Sequence, residues 1–562
     1  MKPKYKVWGN KGYPIWKIDE SVTDLEREAF RDCQEVIAIC IPNGITEIPY
    51  GTFCNCKNLK RVELPTSLQV IDSAAFENCI SLEEIVLPEG LKSINFYAFK
   101  NCKNLRAITI PSSVVDIDSS SFHECRKLSR IDVAESNKHF CSIDGVVCSK
   151  DISALLFVPC GYSQVTYTVP NGVSRIEEWA FSYSEHIRIV ILPDTVKEIG
   201  GAAFSCSKAL NRVILPSSVE IIENSAFDGC GSLKEIDIPD SVQEIENFCF
   251  EYCKRLRKVR LPRNIKRIGR CMFKSCTSLE SIDIPEGVTE IDSEAFDECY
   301  KLRHISIPSS VKRICTRFSN CRSLPVTDGI IYADTFLVKA VDKNRQHYDI
   351  KEGTRFVNSF AFTDCHNIRT ITIPDSVEMI GAHAFSWCKH LETINFPNSL
   401  RSIHYEAFER CTSLKRVVLP KGLKSIASNL LLDCVNLESI VIPNTIEEIG
   451  YGAFEGCTSL REIILPESIK LVEFYAFHKC KKLKSITINN KYSSIDPEAF
   501  DAHHIPYLPL WIIPSVLMDL PLRKEHNRFD TLYRRTYGYP QKSRIKRLLH
   551  YLLKCFFAKK YK

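Results

Sequence analysis

Apolar residues recur along this chain in a pattern that repeats every 23 positions. In residues 65–87, PTSLQVIDSAAFENCISLEEIVL, the pattern L-x-x-I-x-L falls on Leu82, Ile85 and Leu87. This alternation predicts a short β-strand in which Ile85 and Leu87 face inward and Val86 faces out. The same arrangement returns in nearly every 23-residue stretch, so the chain is predicted to repeat one structural unit.

A proline follows each predicted strand and ends it, because proline has no N–H with which to extend a β-ladder. In residues 65–87, Phe76 and Cys79 lie three positions apart, which predicts one helical turn with both side chains inward. The prolines spaced by 23 are Pro42, Pro65, Pro88 and Pro111, then Pro170, Pro193, Pro216, Pro239, Pro262, Pro285 and Pro308, then Pro374, Pro397, Pro420, Pro443 and Pro466.

A single turn of this length cannot bury its apolar side chains, whereas stacked turns share one continuous core. The predicted fold class is therefore an α/β, β-rich solenoid: a leucine-rich-repeat curved superhelix of about 18 turns. Such an array accommodates 562 residues, which exceed the usual size of a single globular core.

The proline spacing is interrupted twice, between Pro111 and Pro170 and between Pro308 and Pro374. Each gap contains an Asp-Gly dipeptide between apolar residues, in SIDGVV at Asp144 and in VTDGII at Asp328. Asp-Gly in that setting favours a two-residue β-hairpin turn. Two β-hairpin insertions are therefore predicted within the array.

These features predict segments of one solenoid rather than independent domains. The predicted segments are an N-terminal cap (1–18), repeat block 1 (19–133), a hairpin insertion (134–169), repeat block 2 (170–324), a second hairpin insertion (325–350), repeat block 3 (351–500), and a C-terminal cap with a basic amphipathic tail (501–562).

The repeated motif L-x-x-I-x-[IL]-P-x-x-[VIL]-x-x-I-x-x-x-A-F-x-x-C resembles the BspA-type leucine-rich repeat over about residues 19–500. The resemblance implies a curved, right-handed solenoid that binds proteins. Many members of that family carry export signals and attach to host matrix proteins, so the resemblance also implies a cell-surface adhesin as an alternative.

Charge is unevenly distributed along the chain. Residues 521–562 contain 13 of the 74 Lys and Arg residues but only 2 of the 68 Asp and Glu residues, so the tail is strongly basic and the remainder slightly acidic. The N-terminal segment lacks the apolar run of a secretory signal, and no window has the length of a membrane span. On this evidence a cytoplasmic location is expected, with the cell surface, reached by an unrecognised export route, as the alternative.

Fifteen of the 26 cysteines occupy the same position of the repeat, three residues after the phenylalanine, as Cys79 follows Phe76. Disulfides between turns are disfavoured if the predicted helical turns pack about 8–10 Å apart. A metal site is disfavoured because converging Cys and His pairs are not found, and fifteen copies do not suit a catalytic thiol. The favoured interpretation is a free cysteine that acts as a small buried apolar residue.

The outward residue two positions before each proline is presented once per turn, so a partner on the curved face would contact this column. Apolar residues cluster there in two places. Contiguous exposed apolar side chains suggest a partner-binding patch, while ordinary β-propensity remains the alternative explanation. The candidate residues are Ile191 and Ile214 in one cluster and Val418, Val441 and Ile464 in the other.

A second candidate surface is the basic band, KRLRKVRLPRNIKRIGR at residues 254–270, which contains no acidic residue. Such a band suits a polyanion or an acidic partner, with solvated surface charge as the alternative. Its candidate residues are Arg257, Lys258, Arg260, Arg263, Lys266 and Arg267.

In the tail, residues 542–562 place leucines at helical spacing among lysines and arginines. This pattern is typical of a helix that contacts a membrane surface, a polyanion or a partner, and it also fits a helix that caps the last repeat.

Residues arranged as a nucleophile motif or a phosphate-binding glycine loop are not found in the sequence. The predicted function is a non-enzymatic protein–protein interaction scaffold that binds a protein partner on its curved face. Catalytic residues, a metal site, a cofactor and a small-molecule substrate are not expected.

Overall fold

The computed structural model describes residues 7–8, 15–490, 493–496 and 498–501; of residues 7–8 it describes the backbone. The chain divides into two compact units, Met1–Ala407 and Phe408–Lys562. Both are built of stacked β-turns of one kind, and the described residues contain strands and hydrogen-bonded turns but no helix. The leucine-rich-repeat solenoid is confirmed, with about 21 turns rather than about 18.

The strands that precede the prolines together form the first strand row. Within this row, strands 23 residues apart pair in parallel. In unit 1 its strands are Ile15–Ile18, Ala38–Cys40, Arg61–Glu63, Glu84–Ile85, Ala107–Ile110, Arg130–Val133, Thr166–Thr168, Ile189–Ile191, Arg212–Ile214, Glu235–Asp237, Lys258–Arg260, Ser281–Asp283, His304–Ser306, His347–Asp349 and Thr370–Thr372. In unit 2 they are Arg416–Val418, Ser439–Val441, Glu462–Leu465 and Ser485–Ile488. Val7–Trp8 pairs antiparallel with the first of them.

A two-residue strand after each proline forms the second strand row, also parallel and in register. In unit 1 its strands are Glu47–Ile48, Val70–Ile71, Ser93–Ile94, Asp116–Ile117, Arg175–Ile176, Glu198–Ile199, Ile221–Ile222, Glu244–Ile245, Arg267–Ile268, Glu290–Ile291, Arg313–Ile314, Phe356–Val357, Met379–Ile380 and Ser402–Ile403. In unit 2 they are Ser425–Ile426, Glu448–Ile449, Leu471–Val472 and Ser494–Ile495.

The inward and outward positions of the first strand row agree with the alternation in the sequence. Ile85 and Leu87 are buried, whereas the Val86 side chain between them is 83% exposed. In-register pairing repeats this alternation, so each core position forms a column of equivalent side chains.

The segment that contains the phenylalanine and the cysteine, here called the turn row, is not the helical turn that the sequence suggested. Two residues in each turn have positive φ, such as Ala74 (54°) and Asn78 (60°) in the turn of Phe76, and this conformation interrupts a helix. The backbone instead bonds to the next turn, as when the Phe76 N–H donates to the Ala98 carbonyl at 2.7 Å. Phe76 and Cys79 are nevertheless both fully buried, as expected.

Turns stack more closely in the turn row than helices would. The rings of Phe53, Phe76 and Phe99 lie parallel, with centroids 5.2 Å apart. The expected separation of 8–10 Å was therefore wrong, and distance alone does not prevent a disulfide between neighbouring turns, since a bridge tolerates about 7 Å between Cα atoms. Every cysteine among the described residues is nonetheless a free thiol.

Both predicted β-hairpins are present. Asp144 (φ 51°) and Gly145 (φ 80°) form the turn between Phe140–Ile143 and Val146–Ser149, and Asp328 and Gly329 form the turn between Val326–Thr327 and Ile330–Ala333. Positive φ at both turn residues defines the type I′ geometry that Asp-Gly favours.

Each hairpin gains a third strand that the sequence did not indicate. Ala154–Phe157 pairs antiparallel with the first hairpin and parallel with Arg175–Ile176, so it enters the second strand row. Phe336–Ala340 does the same for the second hairpin. The insertions are thus three-stranded meanders whose last strand rejoins the stack.

Candidate functional site

The first apolar cluster lies in unit 1 on the first strand row, as the sequence indicated. Ile191 and Ile214 are in-register partners on adjacent parallel strands, so their side chains are direct neighbours. The Ile214 side chain is 39% exposed, whereas Ile191 is half-buried. The exposed apolar surface of this cluster is therefore concentrated on Ile214.

The second cluster lies in unit 2 and is more exposed, with Val418 48%, Val441 45% and Ile464 57% accessible. Val418 pairs in register with Val441, and Ile464 occupies the same repeat position on the following strand. Adjacent parallel strands lie about 4.8 Å apart. Val418 and Val441 are therefore direct neighbours, and Ile464 continues the column on Glu462–Leu465, which contacts Ser439–Val441. These three side chains are here called the apolar strip.

The basic band is in unit 1, and acidic residues of the adjacent turns lie beside it. Arg260 forms ion pairs with Asp237 at 3.2 Å and with Asp240 at 3.0 Å, and Arg263 approaches Asp240 at 3.7 Å. The Arg263 backbone N–H and the Arg260 guanidinium lower the pKa of Asp240. Part of the positive charge of the band is therefore matched by acids of the preceding turn.

The other basic candidate residues of the band are also exposed. Lys258 lies in register with Glu235, and Arg267 with Glu290 of the following turn. These acids lie outside residues 254–270, so that stretch by itself does not reveal them. The 23-residue spacing was the signal that would have revealed them, since Asp237 and Arg260 are 23 positions apart.

The predicted cap at 501–562 and the amphipathic pattern at 542–562 lie outside the described residues, apart from Asp501. Where the structure does describe the chain, it contains no helix long and apolar enough to span a membrane.

An aromatic cluster on the turn row of unit 1 was not anticipated. The His123 ring contacts the rings of Trp179 and Tyr183, with centroids 4.6 and 5.7 Å away, and its Nε2 is 2.9 Å from the Ser182 Oγ. Burial, with a smaller contribution from Lys100, lowers the pKa of His123 to about 4, so the imidazole is neutral at pH 7. These residues lie on either side of the first insertion in the sequence, and nothing in their spacing indicated the contact.

Possible cation ligands in unit 1 include Glu290, Asp292 and Cys315, whose ligand atoms lie within 4.8 Å of one another. The Glu290 carboxylate is already ion-paired with Arg313, and Cys315 is exposed. This arrangement is that of a surface ion pair with acidic neighbours rather than of a closed tetrahedral site.

Comparison with known proteins relates the chain to repeat proteins from several bacteria. Solved structures similar to it include a leucine-rich repeat protein of Eubacterium ventriosum (19% identity, 68% of this chain and 83% of that chain, TM-score 0.44). Others are the pneumococcal vaccine antigen PcpA (23%, 65% and 82%, TM-score 0.42) and a leucine-rich repeat protein of Treponema pallidum (28%, 32% and 86%, TM-score 0.29). The comparison with curated proteins gives no match.

A family model described as the BspA-type leucine-rich repeat region matches residues 16–142, 150–219, 203–325, 341–457 and 424–511. These ranges cover most of the chain, and they contain the recurring proline, phenylalanine and cysteine positions on which the columns of both units are built. The protein therefore belongs to the BspA-type leucine-rich repeat family.

Proposed function

We propose that the protein is a non-enzymatic interaction scaffold that binds a protein partner on its first strand row. The observation that carries this proposal is the apolar strip of Val418, Val441 and Ile464, which is exposed on adjacent strands of unit 2. Contiguous exposed apolar side chains on a regular surface are characteristic of contact sites. Family membership supports the general role, since repeat arrays present extended surfaces to partners.

Charged residues beside the apolar strip would give such a contact specificity. Arg416 and Glu462 lie on the same strands, two positions before Val418 and Ile464. The Arg461 guanidinium approaches the Glu438 carboxylate at 3.9 Å across neighbouring turns. An apolar centre with a charged margin is the usual composition of a protein interface.

The test compares Val441→Asp and Ile464→Asp with the wild type in a quantitative pull-down from the source cells. A carboxylate in the buried centre of an interface leaves a desolvated charge, so recovery of the specific partner should fall at least tenfold. Circular dichroism and thermal unfolding establish that the variants are folded, which is expected because both side chains point outward.

Val86→Asp is the matched control. Val86 occupies the same repeat position on the same strand row but lies in unit 1, between Glu63 and Thr109 at the equivalent positions of its neighbours. It should leave partner recovery unchanged. If all three variants recovered as much partner as the wild type, the proposal would be contradicted. It would also be contradicted if all three lost recovery to the same extent.

Adhesion at a cell surface is the alternative form of this proposal, and it differs in compartment rather than in binding surface. Family membership supports a repeat scaffold and does not distinguish the two compartments. Fractionation of source cells, with antibody access to intact cells as the readout, distinguishes the two.

A further inference from the structure

The first hairpin contains a pair of cysteines outside the repeated cysteine position. Cys141 on Phe140–Ile143 lies directly opposite Cys148 on Val146–Ser149. The Lys150 N–H donates to the His139 carbonyl at 2.8 Å, and hydrogen-bonded pairs alternate along an antiparallel ladder. Cys141 and Cys148 lie two residues closer to the turn than His139 and Lys150. Because every second pair is hydrogen-bonded, they also form a hydrogen-bonded pair.

Such a pair is within range of a disulfide. Cα atoms of a hydrogen-bonded antiparallel pair lie about 5.5 Å apart, inside the 4.4–6.8 Å range of disulfides. Directly opposite Cβ atoms of a hydrogen-bonded pair lie about 5.5 Å apart, against about 3.5–4.5 Å in a bridge. Closure therefore requires the two Cβ atoms to approach by about 1–2 Å, without a change of register.

Two further observations favour closure. The side chain of Cys141 packs against the core cluster that contains Cys148, so the two side chains share one face of the hairpin. The pairing of Val146–Ser149 with the next strand shifts register between Val147 and Cys148, and β-bulges of this kind re-aim a side chain. The strand can thus adjust where Cys148 must move.

The two thiols also differ in access. Cys141 is half-buried, whereas Cys148 is fully buried. Burial raises the pKa of Cys148 to about 12 and also raises that of Cys141, so neither thiol is strongly acidic. The more accessible Cys141 is the site at which an external oxidant reacts first.

We propose that Cys141 and Cys148 form a reversible cross-strand disulfide in the first insertion when the protein meets a disulfide oxidant. With glutathione disulfide, the Cys141 thiolate attacks one sulfur and releases glutathione, which takes up the proton lost by Cys141. The Cys148 thiol then loses its proton and attacks the Cys141 sulfur of the mixed disulfide, releasing the second glutathione. Two cysteine thiols are oxidised, and one glutathione disulfide is reduced to two glutathiones.

The bridge would join the two strands of the hairpin covalently and be opened again by a thiol reductant. Strained or accessible disulfides are the readily reduced ones. The second hairpin has Pro325 and Tyr332 at the equivalent positions, where the Tyr332 N–H donates to the Pro325 carbonyl. Redox sensitivity is thus specific to the first insertion among the two hairpins.

Peptide mapping of the full chain tests this proposal directly. Trypsin releases residues 139–150, which contain both cysteines, as one peptide. The folded protein is incubated with glutathione disulfide, denatured in the presence of N-ethylmaleimide so that every remaining thiol is alkylated, and digested without reduction. The expected result is a peptide lighter by two hydrogens that carries no maleimide, and that becomes doubly alkylated after treatment with dithiothreitol.

Cys148→Ser is the matched variant, in which the same peptide should carry one glutathione on Cys141. Exposed Cys315 provides an internal reference for oxidation. A wild-type peptide that remains doubly alkylated while Cys315 is oxidised would overturn the proposal. A wild-type peptide that retains glutathione on Cys141 would overturn it equally.

Discussion

At the residue scale, the repeated cysteine has a more specific role than filling space. The Cys79 Sγ lies 3.1 Å from the Phe53 carbonyl oxygen of the preceding turn, to which its S–H donates. The same contact, at 3.0–3.3 Å, recurs at Cys56, Cys102, Cys125, Cys230, Cys253, Cys276, Cys299, Cys321, Cys388, Cys434, Cys457 and Cys480.

At Ser207, which replaces the cysteine, the hydroxyl makes the equivalent bond and donates to the Phe181 carbonyl of the preceding turn at 2.5 Å. The position therefore selects a small side chain that can donate a hydrogen bond. Burial raises the pKa of Cys79 well above its usual value, so the thiol stays protonated and available as a donor.

This role predicts an order of stabilities at Cys79. Cys79→Ser preserves a donor and should cost less than Cys79→Ala, which removes one of the two donors to the Phe53 carbonyl, the other being the Cys56 N–H at 3.0 Å, and opens a small cavity, at a cost of about 1–2 kcal/mol. Cys79→Val should be the most destabilising because it adds a methyl group to a packed core. Urea unfolding followed by fluorescence measures the three free energies. A purely apolar role would instead make Ala better tolerated than Ser.

At the element scale, each insertion interrupts the stack of turns. A single polar side chain there makes the hydrogen bonds that the serine of an ordinary turn makes elsewhere. In an ordinary turn, a serine such as Ser113 donates to the carbonyl of the preceding turn, here that of Leu91 at 2.8 Å. At the first insertion the equivalent residue, Ser136, is exposed, and buried Asn137 donates instead to the carbonyls of Pro111 (2.9 Å) and Val114 (3.0 Å).

The second insertion uses a different residue for the same task. The Arg355 guanidinium donates to the carbonyls of Pro308 (3.3 Å) and Val311 (2.9 Å) and pairs with Glu378. Arg355 could not be identified from the sequence, because its partners lie 44 and 47 positions away across the second insertion. Asn137 is 23 positions from Val114, as the register requires, but nothing in the sequence indicates that Asn137 rather than Ser136 faces the core.

We expect Asn137→Ala to destabilise the first insertion strongly, by about 3–5 kcal/mol. Its side chain also accepts hydrogen bonds from the His139 and Phe140 N–H groups, so four backbone groups each lose a hydrogen bond. Hydrogen exchange should accelerate over residues 140–157. Exposed Asn43, which accepts from the Thr66 N–H, is the control, and Asn43→Ala should change stability by less than about 1 kcal/mol. Similar costs for both substitutions would contradict this account.

At the scale of the whole molecule, stacking in register turns sequence distance into spatial contact. Residues 23 apart become neighbours, which is why the charged side chains of adjacent turns interact, as in the pair of Arg369 with Glu392 at 2.6 Å. The same register places acids beside the basic band. Whether that band binds a polyanion therefore depends on three adjacent turns rather than on the 17 residues of one stretch.

Register also predicts how the chain tolerates deletion. Removing residues 217–239, one complete turn, joins Pro216 to Asp240 and restores every column of unit 1. Removing residues 217–228 deletes fewer residues but leaves a turn without Phe227 and without its second-row strand at Ile221–Ile222. The larger deletion should retain cooperative thermal unfolding, whereas the smaller one should lower the melting temperature by more. The reverse order would contradict independent stacking of identical turns.

The sequence by itself determined the period, the inward and outward positions, and both hairpin turns, because each depends on residues close together in the chain. Alternation around Ile85 and the Asp-Gly dipeptide at Asp144 are local signals. Only the tertiary structure decided that the turn row is not helical, that thiols donate to carbonyls, and which side chains close the insertions. Those outcomes depend on hydrogen bonds between turns, whose geometry is set when neighbouring turns approach to about 5 Å rather than by the residues within one turn.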